Sequence, residues 1–166
     1  MKRLLFILVF SALCYTHALS SYSNTVEDGT NPPSCKLKDL ANVTNKKLKP
    51  GFTYDGARII KFKPKEEAHK KRVVLPLYDG VDYKYVFNRS AFPKGAEINI
   101  YDGNENARLL FSSADFEESE KLLVYKTKAS VQLLYIVFSI PAASEVVVPG
   151  CICLSTGYRL QRAERN

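Results

Sequence analysis

The stretch Ser130–Pro141, Ser-Val-Gln-Leu-Leu-Tyr-Ile-Val-Phe-Ser-Ile-Pro, decides how the rest of the chain is read. Side chains along a strand alternate between two faces. Val131, Leu133, Tyr135 and Val137 therefore share one face, and Leu134, Ile136, Phe138 and Ile140 share the other. Both sets are apolar, the pattern of a strand covered on both sides, so the stretch is expected to be the central strand of a β-sandwich. It is too short to cross the hydrocarbon core of a bilayer, about 30 Å thick, as a helix.

The pattern repeats outward from this strand. Val81–Asn88 alternates, with Val81, Tyr83, Tyr85 and Phe87 inward and Asp82, Lys84 and Asn88 outward. Ala57–Lys63, Val73–Tyr78, Glu97–Tyr101, Ala107–Ser112, Leu122–Lys128 and Gly150–Leu160 also read as strands, and Pro76 marks an edge or a bulge. Pro64–Arg72 reads as a charged loop. Glu97–Tyr101 pairs with Ala107–Ser112 as one hairpin, and Leu122–Lys128 pairs with Val131–Ile140 as another. One short helix precedes them, from Cys35 to about Leu48, capped by Ser34, with Leu37, Leu40, Ala41, Thr44 and Leu48 on one face. The fold class expected is all-β: an antiparallel, jelly-roll-like β-sandwich of about eight strands with one short N-terminal helix.

The N-terminus reads as an export signal. Met1-Lys2-Arg3 is basic, Leu4–Leu13 is apolar, and Thr16-His17-Ala18 offers a small-x-small cleavage site after Ala18. The large Leu13 before Cys14 argues against a lipoprotein signal. The expected organisation is a signal peptide over 1–18, a polar, disordered leader over 19–34, the sandwich over 35–160 and a basic tail over 161–166. The expected location is secreted or periplasmic, with no transmembrane segment in the mature chain.

Three cysteines remain after cleavage: Cys35, Cys151 and Cys153. An oxidising compartment favours one disulfide, joining Cys35 to Cys151 or to Cys153. Cys151 and Cys153 lie two apart on one strand, where a direct bridge is strained. The competing reading is three buried thiols acting as small hydrophobes.

The net charge is +7, and it is uneven. Between Lys36 and Arg72 stand twelve Lys and Arg against Asp39, Asp55, Glu66 and Glu67. Lys46, Lys47, Lys49, Lys70, Lys71 and Arg72 are the candidate binding residues, for an envelope protein or a polyanionic glycan. Nucleic acid is not an expected partner. The balancing expectation is a solvated basic face.

Other patterns carry less chemistry. Asp102–Asn106 starts like a calcium loop, but Ala107 and Ser113 stand where such loops need Gly and Glu. Asp115, Glu117, Glu118 and Glu120 cluster within one segment, whereas glycosidase carboxylates face each other across a cleft. His69 is the one histidine after the signal, a possible partner for a cysteine nucleophile. Tyr22, Tyr54, Tyr78 and Tyr101 are candidates for stacking on sugars, or for anchoring turns. Asn42 and Asn88 head glycosylation sequons. Tyr-Asp-Gly occurs at 54–56, 78–80 and 101–103, where Asp-Gly suits tight turns. No catalytic residue, metal site or cofactor is assigned.

Taken in order, these features resemble a family. A cysteine precedes a short helix, Tyr-Asp-Gly follows at 54–56, and Val-Asp-Tyr-Lys-Tyr-Val-Phe-Asn stands at 81–88. Ile-Asn-Ile-Tyr-Asp (98–102), Leu-Leu-Phe (109–111), Leu-Leu-Tyr-Ile-Val-Phe-Ser-Ile-Pro (133–141) and Gly-Cys-Ile-Cys-Leu-Ser-Thr-Gly-Tyr-Arg (150–159) come next. The chain resembles small exported β-sandwich proteins of Bacteroidetes that end in a Gly-Cys strand. Cys153 departs from that pattern. The resemblance implies a sandwich fold and a periplasmic or surface address, and it supplies no activity. The expected role is a non-catalytic cell-envelope accessory or binding module. The alternatives are a glycan- or polyanion-binding module and a small hydrolase.

Overall fold

The computed structural model describes residues 35–63, 65–127, 130–142 and 149–161. The expected signal peptide, the leader with its Ser34 cap, and residues 162–166 of the tail lie outside the described residues. Helix α1 (Leu37–Leu48) is followed by eight strands: β1 (Thr53–Phe62), β2 (His69–Pro76), β3 (Val81–Asn88), β4 (Glu97–Asp102), β5 (Leu109–Ser112), β6 (Leu122–Lys126), β7 (Leu133–Ile140) and β8 (Gly150–Leu160). They form two antiparallel four-stranded sheets. The first has the order β1-β8-β3-β6 and the second β2-β7-β4-β5. The fold is the expected all-β sandwich with one helix.

The layers meet over Phe87, Ile98, Ile100, Leu123, Leu134, Ile136, Phe138, Ile152 and Leu154, all buried. Each such side chain contributes about 1.5–3 kcal/mol when removed from water. Phe62, Phe92 and Phe138 pack at ring separations of 5.3, 5.6 and 6.2 Å and close one end of this layer.

Several expectations are corrected. The hairpin of Leu122–Lys128 with Val131–Ile140 does not form: β6 pairs with β3 in the first sheet, while β7 pairs with β2 and β4 in the second. The connection crosses between layers because Leu123 and Leu134 fill the core from opposite sides. The strand shielded on both faces along its length is β8, from Gly150 to Ser155. On β7 only Val137 of the second face is fully buried, and Leu133 and Tyr135 are partly exposed. His69–Arg72 belongs to β2 rather than to a loop. Of the three Tyr-Asp-Gly sites, Gly80 and Gly103 take positive φ of 73° and 89°, whereas Gly56 sits at a bulge in β1.

A third layer explains β8. Along this strand Cys151, Cys153, Ser155 and Gly157 alternate with Ile152, Leu154, Thr156 and Tyr158. The small set faces α1, whose Leu40, Ala41, Thr44 and Leu48 are buried against the sheet. Gly157 is needed there: a Cβ would lie 3.0 Å from Leu48 Cδ2 and 3.1 Å from the Thr53 carbonyl oxygen. Leu37, expected on the packed face, is 44% exposed. Lys36 is the N-cap and makes no side-chain cap bond. The disulfide Cys35–Cys151 instead ties down this end of the helix. Asn88, expected outward into solvent, is 3% exposed, and its Oδ1 accepts from the backbone N–H of Ser90 at 3.1 Å. The outward side of the first sheet is thus in part an interior.

Candidate functional site

The helix interface holds a small polar network. The Thr44 hydroxyl donates to the Ala41 carbonyl at 2.9 Å, which leaves Ser155 to donate to Thr44 Oγ1 at 2.5 Å. Cys153 is a buried free thiol beside them. Burial pushes its pKa up, against the opposing hydrogen bonds to Ser155 and Thr44. A raised pKa makes it a poor thiolate. With Cys35 and Cys151 joined, and His69 at the start of an edge strand of the other sheet, the thiol–histidine pair is not assembled.

The six basic candidates do not converge. Lys46 and Lys47 lie in the last turn of α1 and Lys49 follows it, all on the outer side of the first sheet. Lys70 and Arg72 stand on β2 in the second sheet, where Glu105 neutralises both, with Arg72 Nη2 at 2.9 Å from Glu105 Oε2. These bonds hold the Glu105 carboxyl below its ordinary range, Lys70 first and then Arg72. Lys71 turns over the rim, donating to the Lys61 carbonyl at 3.1 Å with its ammonium 5.9 Å above the Phe62 ring. Asp102 of the calcium-like loop is held by Arg108 at 2.8 Å. The carboxylates Asp115, Glu117, Glu118 and Glu120 are exposed along the segment from the 3-10 turn Ser113–Asp115 to β6. Of the sequons, Asn42 is exposed on α1 and Asn88 is buried.

Two lysines that the charge count passed over join the helix side. Lys84 on β3 lies directly opposite Lys126 on β6, and its Nζ donates to the carbonyl of Lys47 at the end of α1. A cation there complements the negative end of the helix dipole. Lys84 and Arg159 also flank the Phe52 ring, at 5.6 and 5.0 Å from its centroid. The Lys84 pKa is lowered, by burial first and then by Lys126 and Lys47. Arg159 is paired with Asp82 at 2.6 Å, which holds that carboxyl below its usual range.

A cavity lies between the sheets at the end where β3 begins and β8 ends. It has a volume of about 370 Å³. That falls within the range of small-ligand sites, about 300–1,000 Å³. Tyr78, Tyr83, Tyr85 and Tyr158 line it, beside Asp55 and Arg58 of β1. Leu75 and Leu160 supply apolar wall. The period-two alternation of β3 and β8 sends Tyr83, Tyr85 and Tyr158 inward, and the turn after β2 brings Tyr78 over the mouth. Exposure falls from 70% at Tyr78 to 2% at Tyr85. Tyr83 and Tyr85 stack at 6.3 Å, and Tyr85 stacks on Tyr125 at 6.5 Å. Burial pushes the Tyr83 and Tyr85 phenol pKa values up, so these hydroxyls stay protonated and can donate. The site therefore offers ring faces, phenolic hydroxyls, one carboxylate and one guanidinium.

Among the sugar-stacking candidates, Tyr78 is at this mouth, Tyr54 is exposed on β1 beside Asp55, and Tyr101 stands opposite Tyr135 in the other sheet. Tyr22 lies outside the described residues. In the sequence Tyr83, Tyr85 and Tyr158 stand out only as strand residues, and their shared inward phase is the signal for a lining. Another cavity, of about 290 Å³, opens at the opposite end, between Arg89, Phe92, Phe116 and Glu118. Among the described residues no helix is long and apolar enough to cross a membrane. Compared with known proteins, the chain matches no family model, no curated sequence and no solved structure.

Proposed function

We propose that this protein is an exported, non-catalytic binding module that holds a saccharide in the tyrosine-lined cavity. The observation that carries the reading is the convergence of Tyr78, Tyr83, Tyr85 and Tyr158 beside Asp55 and Arg58 in one cavity. Sugar rings present C–H faces that pack on aromatic rings and hydroxyls that pair with carboxylates, guanidinium and phenols. The disulfide and the apolar run Leu4–Leu13 support export to an oxidising compartment. The resemblance to exported sandwich proteins of Bacteroidetes supports the same address.

The test is titration of the 15N-labelled protein with neutral oligosaccharides of glucose, galactose, mannose and N-acetylglucosamine. At least one is expected to shift amides of residues 78–85 and 156–160, and Tyr78→Ala is expected to weaken it by about tenfold, about 1.4 kcal/mol. Shifts confined to other regions, or none at millimolar sugar, would overturn the reading.

A further inference from the structure

The basic segment read from the sequence is split by the fold, and a different set of cations is assembled. Lys38, Lys46 and Lys47 of α1 share one side of the first sheet with Lys61, Lys84 and Lys126 from three strands. Lys61 pairs with Cys151, which packs under the helix, and Lys84 pairs with Gly157, which packs under Leu48. Asp39 is the one carboxylate on α1, and Asp82 on the neighbouring strand is already held by Arg159. The other outer face is different: Glu105 there offsets Lys70 and Arg72. Among the described residues the excess of positive charge therefore lies on the helix-covered side.

The geometry points to this side as a binding site for an acidic polysaccharide, its sulfate or carboxylate groups seated between the last turn of α1 and the Lys84–Lys126 pair. Like charges directly opposite across two strands repel. The helix carbonyl of Lys47 engages Lys84, while Lys126 and the Lys47 ammonium have no carboxylate partner among the described residues. An anion relieves that repulsion; the Lys84 pKa is lowered by burial first and then by Lys126 and Lys47. Of the α1 lysines Lys47 belongs to this cluster, its carbonyl bonded to Lys84, whereas Lys38 lies about 180° from it around the helix axis. Lys47, Lys84 and Lys126, brought together from α1, β3 and β6, suit a charged group on a hydroxyl-rich chain. A bilayer fits less well: the exposed apolar side chains on the helix, Leu37 and Val43, lie about 120° apart around its axis and form no patch. Nucleic acid fits less well because the Phe52 ring is flanked by Lys84 and Arg159 and is not free to stack on bases.

The probe is a heparin oligosaccharide, titrated by calorimetry at low and at physiological salt. The full chain is expected to bind it at low salt, and binding is expected to weaken as salt rises. The double variant Lys47→Glu/Lys126→Glu is expected to lose about tenfold or more in affinity. Lys70→Glu/Lys94→Glu removes the same formal charge elsewhere and is expected to bind like the parent. If the first variant melts early, Lys47→Gln/Lys126→Gln replaces it. Equal loss in the two double variants would reduce the effect to net charge and overturn the assignment. So would tighter binding of anionic phospholipid vesicles or of a single-stranded oligonucleotide than of heparin, or no binding of heparin at low salt. The Tyr78→Ala variant separates this site from the cavity, since it is expected to bind heparin unchanged.

Discussion

Replacing Cys35 by serine tests how the helix is held. The bridge to Cys151 spans a sequence separation of 116 residues. For a loop of that size, the chain-entropy relation gives a denatured-state effect of about 16 cal/mol/K, or about 4.8 kcal/mol at 25 °C. Residual structure in the unfolded chain reduces this, so Cys35→Ser is expected to lower stability by about 2–5 kcal/mol. The melting temperature is then expected to fall by roughly 10 °C or more. The helix has no side-chain N-cap, so its first turns lose their anchor, while Leu48 remains packed on Gly157. Urea denaturation of the oxidised parent, the reduced parent and the variant measures the loss, and hydrogen exchange locates it. Fastest exchange is expected from Leu37 to Ala41. A midpoint equal to that of the oxidised parent would refute the reasoning. So would a peptide map of the parent showing Cys35 linked to Cys153, the alternative left open by the sequence.

Two further outcomes follow from the same packing. Gly157→Val is expected to cost about 1–3 kcal/mol in urea denaturation, because the added side chain meets Leu48, Thr53 and Phe52 and displaces the end of α1. Unchanged stability would mean that the helix does not approach the strand so closely. The lowered pKa values of Asp82 and Glu105 make their ion pairs stabilising above the ordinary carboxylate values of 3.8 and 4.5. That contribution is lost as pH falls through the lower folded-state values, below about pH 4. Both groups are near the surface, so the loss is small, and Glu105→Gln is expected to flatten the acid limb of a melting-temperature profile.

Much of the fold was legible because period-two alternation reports burial directly. It located β3, β4, β7 and β8, and turn residues separated them. Three features were not legible. The partner of β6 depends on which layer its side chains complete, and sequence proximity favoured the wrong neighbour, β7. Asn88 reads as an outward polar residue until a helix covers that side. Lys84 and Lys126 lie 42 positions apart, and no local window joins them as register partners. The alternation of Cys151, Cys153, Ser155 and Gly157 carried a readable signal for a docked helix, since only small side chains let a helix approach a sheet closely.

The sequence by itself determined the class of the fold, the presence of one helix and the pool of cysteines and cations. Those follow from local periodicity and composition, which each residue reports independently. Only the tertiary structure decided that Cys151 rather than Cys153 bonds Cys35, that four tyrosines line one cavity, and that the cations of α1 join Lys84 and Lys126. These are statements about which faces meet across layers, and the free energy that selects them comes from burial between segments far apart in the chain.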